Sequence, residues 1–133
     1  MDKNLFSFEG KLCCLFDYTN AEIAYKNMDF RTIKEYGDCV KNPDGSIKHW
    51  NFAWDDGHRS LFQCKRCGAY FIYQSSEYHA SEDSYYSDWY QVEDEHKASI
   101  INDVLDGDQF DKEYKAPRII ETNGKLSWNK DDF

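Results

Sequence analysis

The chain has 133 residues, a formal charge of −9, and 41% hydrophobic and 17% aromatic side chains. That is one domain's length with apolar content enough for a core, which argues against a disordered tail or a solenoid. No stretch approaches the roughly 20 apolar residues of a membrane-spanning helix.

The negative charge belongs to one segment. Residues 77–113 carry twelve acidic side chains against two basic ones, whereas residues 1–76 carry ten of each. Such a segment repels nucleic acid and attracts basic protein surfaces. Met1-Asp2-Lys3-Asn4-Leu5-Phe6 lacks a basic stretch leading into an apolar one, so no secretory leader is expected and the cytoplasm is the expected location. Five cysteines in that setting read as thiols or metal ligands rather than disulfides.

In chain order, Leu12-Cys13-Cys14-Leu15-Phe16 reads as a buried strand. Adjacent cysteines on a strand face opposite ways, so Cys13 and Cys14 are expected to be small buried hydrophobes rather than joint ligands. Thr19 and Glu22 fit a capping box opening a helix that runs to Tyr36 and ends at Gly37. Asn42-Pro43-Asp44-Gly45 is a turn, His49–Trp54 a strand, Asp55-Asp56-Gly57 a second turn and Ser60–Gln63 a second strand. Cys64-Lys65-Arg66-Cys67-Gly68 then forms a tight knuckle leading into a third strand, Ala69–Gln74.

Residues 75–91 are polar and tyrosine-rich with no clean period, and read as a long surface loop gaining strand character near Trp89. Glu93-Asp94-Glu95 opens a second helix, striped by Ala98, Ile101, Val104 and Leu105 and closed by Gly107. Asn123-Gly124, between Arg118–Thr122 and Lys125–Trp128, marks a hairpin. The expected fold is a single α+β domain: a zinc-ribbon-like antiparallel core over 38–76, an acidic loop and helix over 77–113, and a C-terminal hairpin over 117–129.

Two thiolates two residues apart can grip one metal ion from a turn. A structural zinc needs four sulfur or nitrogen ligands. With Cys64 and Cys67 as one half-site, Cys39 is the remaining cysteine outside the Cys13-Cys14 pair, and His49 or His58 is available as the fourth ligand. His49 is favoured because it precedes the strand expected beside the knuckle. The ion would be structural: neither the His-x-Glu with Pro-Cys-x-x-Cys of zinc deaminases nor His-Glu-x-x-His is present. No P-loop, Gly-x-Ser-x-Gly or dinucleotide fingerprint occurs, and the chain is not expected to be an enzyme.

Cys64-x-x-Cys67-Gly-Ala-Tyr-Phe, Ser76-Glu-Tyr-His79, Asp83-Ser-Tyr-Tyr and Asn123-Gly-Lys-Leu-Ser-Trp128 together resemble small bacterial immunity-type proteins with a zinc-ribbon knuckle, over about residues 48–130. The resemblance implies an inhibitor that binds a cognate toxin. On that reading Glu82, Asp83 and Asp88 meet basic side chains of the partner, and Tyr85, Tyr86, Trp89 and Tyr90 anchor the contact. Two other roles fit parts of the pattern. One is a phage-encoded inhibitor of a host defence nuclease acting as a nucleic-acid mimic. The other is a zinc-ribbon nucleic-acid binder, which the charge map disfavours.

Overall fold

Strands organise more of this chain than helices do. The computed structural model describes residues 6–80, 82–131 and 133; the opening residues 1–5, expected to carry no leader, lie outside them. Its elements run α1 (Ala21–Lys26), β1 (Phe30–Gly37), β2 (Cys39–Lys41), β3 (Ile47–Trp50), β4 (Asp56–Cys64), β5 (Tyr70–Tyr78), β6 (Ser84–Val92), α2 (Glu95–Val104), α3 (Gly107–Glu113), β7 (Arg118–Thr122) and β8 (Lys125–Asn129), after a 3₁₀ turn at Cys14–Asp17. The result is an α+β fold with antiparallel strand pairing throughout these strands.

Six strands form one sheet in the order β1-β4-β5-β6-β7-β8, and β2-β3 form a separate hairpin. From β4 onward each strand lies beside the next in sequence, so this half of the chain is a meander in which α2 and α3 interrupt only the step from β6 to β7. Strand registers put alternate residues on opposite faces. Leu61, Ile72, Tyr90 and Val92 face Ala98, Ile101 and Leu105 of α2 and Phe110 and Tyr114 near α3. Phe71, Trp89 and Ile119 face the other way, against Leu15, Phe16 and Ala24 of the N-terminal segment. Each large apolar side chain buried in these two layers contributes about 1.5–3 kcal/mol.

Three expectations are corrected. The helix predicted over 20–36 stops at Lys26, because Phe30–Gly37 pairs antiparallel with β4, with bulges between Thr32 and Lys34 and between Glu35 and Gly37. Its N-cap is Asn20, whose side chain accepts from the Ile23 amide. The loop predicted over 75–91 is a long hairpin: β5 continues to Tyr78, and β6 pairs with it from Ser84 to Val92. The predicted core over 38–76 is divided between two sheets, since β3 pairs with β2 and not beside the knuckle strand.

Two glycines have steric roles the sequence did not assign. Gly57 (φ 154°) opens β4 rather than closing a turn, and a Cβ there would collide with the Ser75 carbonyl. Gly107 begins α3 instead of closing α2, and a Cβ there would strike the Phe52 backbone. Its neighbour Asp106 caps α3 through a reciprocal box with Gln109. The Asn123-Gly124 hairpin is as expected, with both residues at positive φ (51° and 86°), the conformation of a two-residue type I′ turn. No helix among the described residues is long and apolar enough to cross a membrane.

Arg59 is completely buried at the centre of the α2/α3 layer. Its guanidinium donates to Gln74 Oε1 (2.7 Å), Asn102 Oδ1 (3.0 Å) and the Leu105 carbonyl (3.0 Å), and lies 5.0 Å from the Phe110 ring centroid. These neutral acceptors tie the C-terminal end of α2 to β4 and β5.

Candidate metal centre

The knuckle is built by the exit from β4 and the entry to β5. Cys64 N–H donates to the Ala69 carbonyl (2.8 Å) and Gly68 N–H donates to the Cys64 carbonyl (2.9 Å), closing the turn. Gly68 sits at φ 84°, where a side chain is strained. Lys65 N–H donates to the Asp29 carbonyl (2.8 Å), and the Arg66 guanidinium donates to the Asn27 carbonyl, so the loop between α1 and β1 braces the turn.

Opposite it lies the segment before α1. Cys13 is extended (φ −61°, ψ 151°), while Cys14 is the first residue of the 3₁₀ turn. That change of backbone between neighbours is why Cys13 and Cys14 need not point apart, as they would along a strand. Buried Leu15 and Phe16 anchor the turn in the sheet. Gln91 of β6 clamps what precedes it: its Oε1 accepts from Cys13 N–H (3.0 Å) and its Nε2 donates to the Lys11 carbonyl (2.8 Å).

The two pieces bring four thiols together. Cys13, Cys14, Cys64 and Cys67 have all their sulfurs within 4.8 Å of one another, with Cys13–Cys67 at 3.4 Å and Cys14–Cys64 at 3.8 Å. Four sulfurs each about 2.3 Å from a central ion would lie about 3.8 Å apart, so the set has the dimensions of a tetrahedral thiolate site. All four cysteines are free of disulfides. Cys13 and Cys64 are each 1% exposed, and Cys67 closes the cluster on the solvent side. The cluster could hold a metal ion.

The four thiols are not equivalent. Burial pushes the Cys13 thiol up, reinforced by its neighbours Cys67 and Cys64, and burial also raises Cys14. Cys67 goes the other way, to about 7: burial raises it, but the backbone N–H groups of Cys14 and Ala69 and the thiols of Cys13 and Cys14 donate to its sulfur and prevail. Cys67 is therefore more readily ionised than Cys13 and Cys14, which crowd beside it. A cation would relieve that crowding by deprotonating them all. Arg66, held by Cys14, adds positive charge at the rim.

The structure does not bring the other two expected ligands here. Cys39 pairs with Trp50 across the β2-β3 hairpin. His49 Nε2 lies 3.0 Å from the Asn102 carbonyl, docking that hairpin onto α2 beside the Lys48–Asp103 ion pair (3.3 Å). His58, the alternative, sits in β4 with Nδ1 3.0 Å from Ser75 Oγ. The expected set of Cys39, His49, Cys64 and Cys67 thus becomes Cys13, Cys14, Cys64 and Cys67. The available signal was that Cys13-Cys14 is a second closely spaced thiol pair, which the strand reading set aside.

The acidic, ring-rich residues divide likewise. Glu82 and Asp83 are exposed, Tyr85 is 49% exposed and Tyr86 is half-buried. Asp88, Trp89 and Tyr90 are buried, because β6 is an interior strand with β5 and β7 on either side. They cannot meet a partner without unfolding the sheet. A residue not expected at this end is Trp54, 54% exposed, with its ring 5.2 Å from Tyr78 and 6.2 Å from Tyr86. Carboxylates gather there too. Asp55 accepts from His79 N–H (2.6 Å), and Asp83 lies 2.8 Å and Glu77 4.0 Å from the His79 ring nitrogens. At the same end, Asp56, His58, Tyr73, Glu77, Tyr85 and Ser87 line an open cavity of about 370 Å³.

No protein-family model, curated protein or solved structure matches this chain. The resemblance to immunity-type proteins accordingly has only the four-cysteine cluster behind it.

Proposed function

We propose that this chain is a zinc-stapled acidic binding protein that inhibits a basic protein partner, in the manner of an immunity protein against a toxin, with a nucleic-acid enzyme as the target class. Zinc is the chosen ion because four thiolates in a tetrahedron suit it, with iron the competitor for the same donor set. Four protein ligands leave no open coordination position, so the ion's part is structural. Cys13 and Cys14 would join Cys64 and Cys67 through it, stapling the N-terminal segment to the end of the sheet.

The observation that carries the binding role is the opposite end of the sheet. There Trp54 and Tyr85 stand exposed, in a setting of Asp55, Asp56, Glu77, Glu82 and Asp83. Large rings give contact area at little entropic cost, and the carboxylates select and steer a cationic surface. The strands between, packed on both faces, would hold that end rigid.

Affinity purification from the native host with the wild-type chain and an Asp55→Lys/Asp83→Lys variant tests the reading. A basic protein retained by the first, lost by the second and inhibited by the purified chain supports it. Equal retention by both, or a partner whose activity does not change, removes this surface and the inhibitory role.

A further inference from the structure

The four thiols fall into two pairs, and both pairs cross between the two segments that meet at the cluster. The Cys13 and Cys67 sulfurs are 3.4 Å apart, and those of Cys14 and Cys64 are 3.8 Å apart. A disulfide holds its sulfurs at about 2.05 Å, so closing either pair takes a movement of less than about 2 Å. Pairing inside the N-terminal segment is opposed by the backbone. Cys13 and Cys14 are neighbours, and the roughly 3.8 Å between consecutive Cα atoms is shorter than the roughly 4.4–6.8 Å that a disulfide spans.

Each pair also has an inner and an outer member. Cys13 and Cys64 are each 1% exposed. Cys67 is exposed and Cys14 partly so, and both line an open cavity of about 340 Å³ together with Asp17, Tyr18 and Arg66. A small oxidant entering this cavity meets one sulfur of each pair, with the other sulfur directly behind it. Arg66 adds a positive charge to the wall, which favours a departing hydroxide.

We propose that the cluster is a peroxide-responsive disulfide site, in which oxidation replaces the metal staple with a covalent one. This rests on the four-thiol cluster alone, and on neither the proposed partner nor the choice of ion. The Cys67 sulfur attacks one oxygen of hydrogen peroxide: an S–O bond forms, the O–O bond breaks, and hydroxide leaves to become water. Cys67 is oxidised by two electrons to a sulfenic acid, and the peroxide is reduced. The Cys13 sulfur then attacks Cys67; the S–S bond forms, the S–O bond breaks and a second water departs. Two thiols and one peroxide thus give one disulfide and two waters. Where the sulfurs start as metal ligands, solvent supplies the two protons and the ion is released. Cys14 and Cys64 repeat the sequence with a second peroxide. Because both bonds join the N-terminal segment to the knuckle, that segment stays fastened once the ion has gone. The Cys13–Cys67 link closes a sequence separation of 54 residues, long enough to restrict the unfolded chain strongly.

Stepwise addition of hydrogen peroxide to the reduced protein as purified, followed by alkylation and mass spectrometry of the unreduced digest, tests this. Cys13–Cys67 should form first and Cys14–Cys64 second, with Cys39 left free for the alkylating reagent. Bound zinc should pass to a chromogenic chelator in step with the first bond. The fully oxidised, metal-free protein should melt about 10 °C above the reduced protein stripped with the same chelator. A Cys64–Cys67 bond, a bond to Cys39 or between chains, or an oxidised protein that melts no higher than the stripped one would overturn the proposal. A chain that carries no ion yet forms both crossed disulfides would support it and count against the metal centre.

Discussion

The two ends of the long β4-β5-β6 meander have opposite constructions. At the knuckle end the polar atoms are sulfurs turned inward, clamped by backbone hydrogen bonds and Gln91, and two of the four thiols are almost wholly buried. At the far end carboxylates and rings face solvent, and the hydrogen bonds around His79 join exposed groups. The same strands connect them, so the contrast comes from what covers each end. The N-terminal segment lies over the first and leaves the second bare. On the proposed reading, one end holds the fold together and the other meets the partner.

The largest way to break this contrast is at the thiols. Cys64→Ser or Cys13→Ser should abolish metal retention and cost about 3 kcal/mol or more in the metal-loaded protein, read by chemical denaturation. Cys39→Ser, on the separate hairpin, should cost under about 1 kcal/mol and leave metal content unchanged. Next in size is the core between the ends: Phe71→Ala, at a fully buried position in the N-terminal layer, should cost about 3–5 kcal/mol without touching a ligand. That separates loss of packing from loss of metal.

Gln91→Leu sharpens the comparison. It removes both hydrogen bonds to the ligand-bearing segment and leaves the Cys13 amide and the Lys11 carbonyl to find other partners. Metal affinity should fall about 10–100-fold in a competition titration while the thiols remain in place. At the far end, Trp54→Ala and Tyr85→Ala should leave thermal stability within about 1 kcal/mol of wild type and weaken partner binding by about 2 kcal/mol. Trp89→Ala, once expected to behave like them, should instead destabilise the fold.

The smallest effect is at His79. The hydrogen bond its ring donates to Asp83 raises its pKa, aided by the charges of Asp83, Glu77 and Asp55. Its contribution is present below the ordinary histidine value and is lost as pH rises through the raised one. Asp83→Asn should bring the His79 titration, followed by NMR, back down.

Much of the meander could be read from sequence, because the Asn123-Gly124 turn, the knuckle and the alternation in Ser60–Gln63 and Ala69–Gln74 are local signals. What could not be read depended on distant partners. Phe30–Gly37 has enough helix-compatible residues to continue α1, and only pairing with β4 makes it a strand. Tyr85–Tyr90 looks like an acidic loop until β7 arrives on its far side and buries Asp88 and Trp89. In the four-thiol cluster Cys64 and Cys67 were legible from spacing. Cys13 and Cys14 were hidden by a rule about strands that fails where an extended residue meets a 3₁₀ turn. Nothing local signalled Trp54, which needed the three-dimensional end of the sheet to gain its neighbours.

Metal content per chain, measured by elemental analysis on wild-type, Cys13→Ser and Cys39→Ser proteins purified in parallel, addresses the central claim most directly. One tightly held ion in the wild type and the Cys39 variant, and none in the Cys13 variant, is the result expected. A metal-free wild type, or an ion that survives loss of Cys13 and disappears with Cys39, would contradict the four-thiol centre.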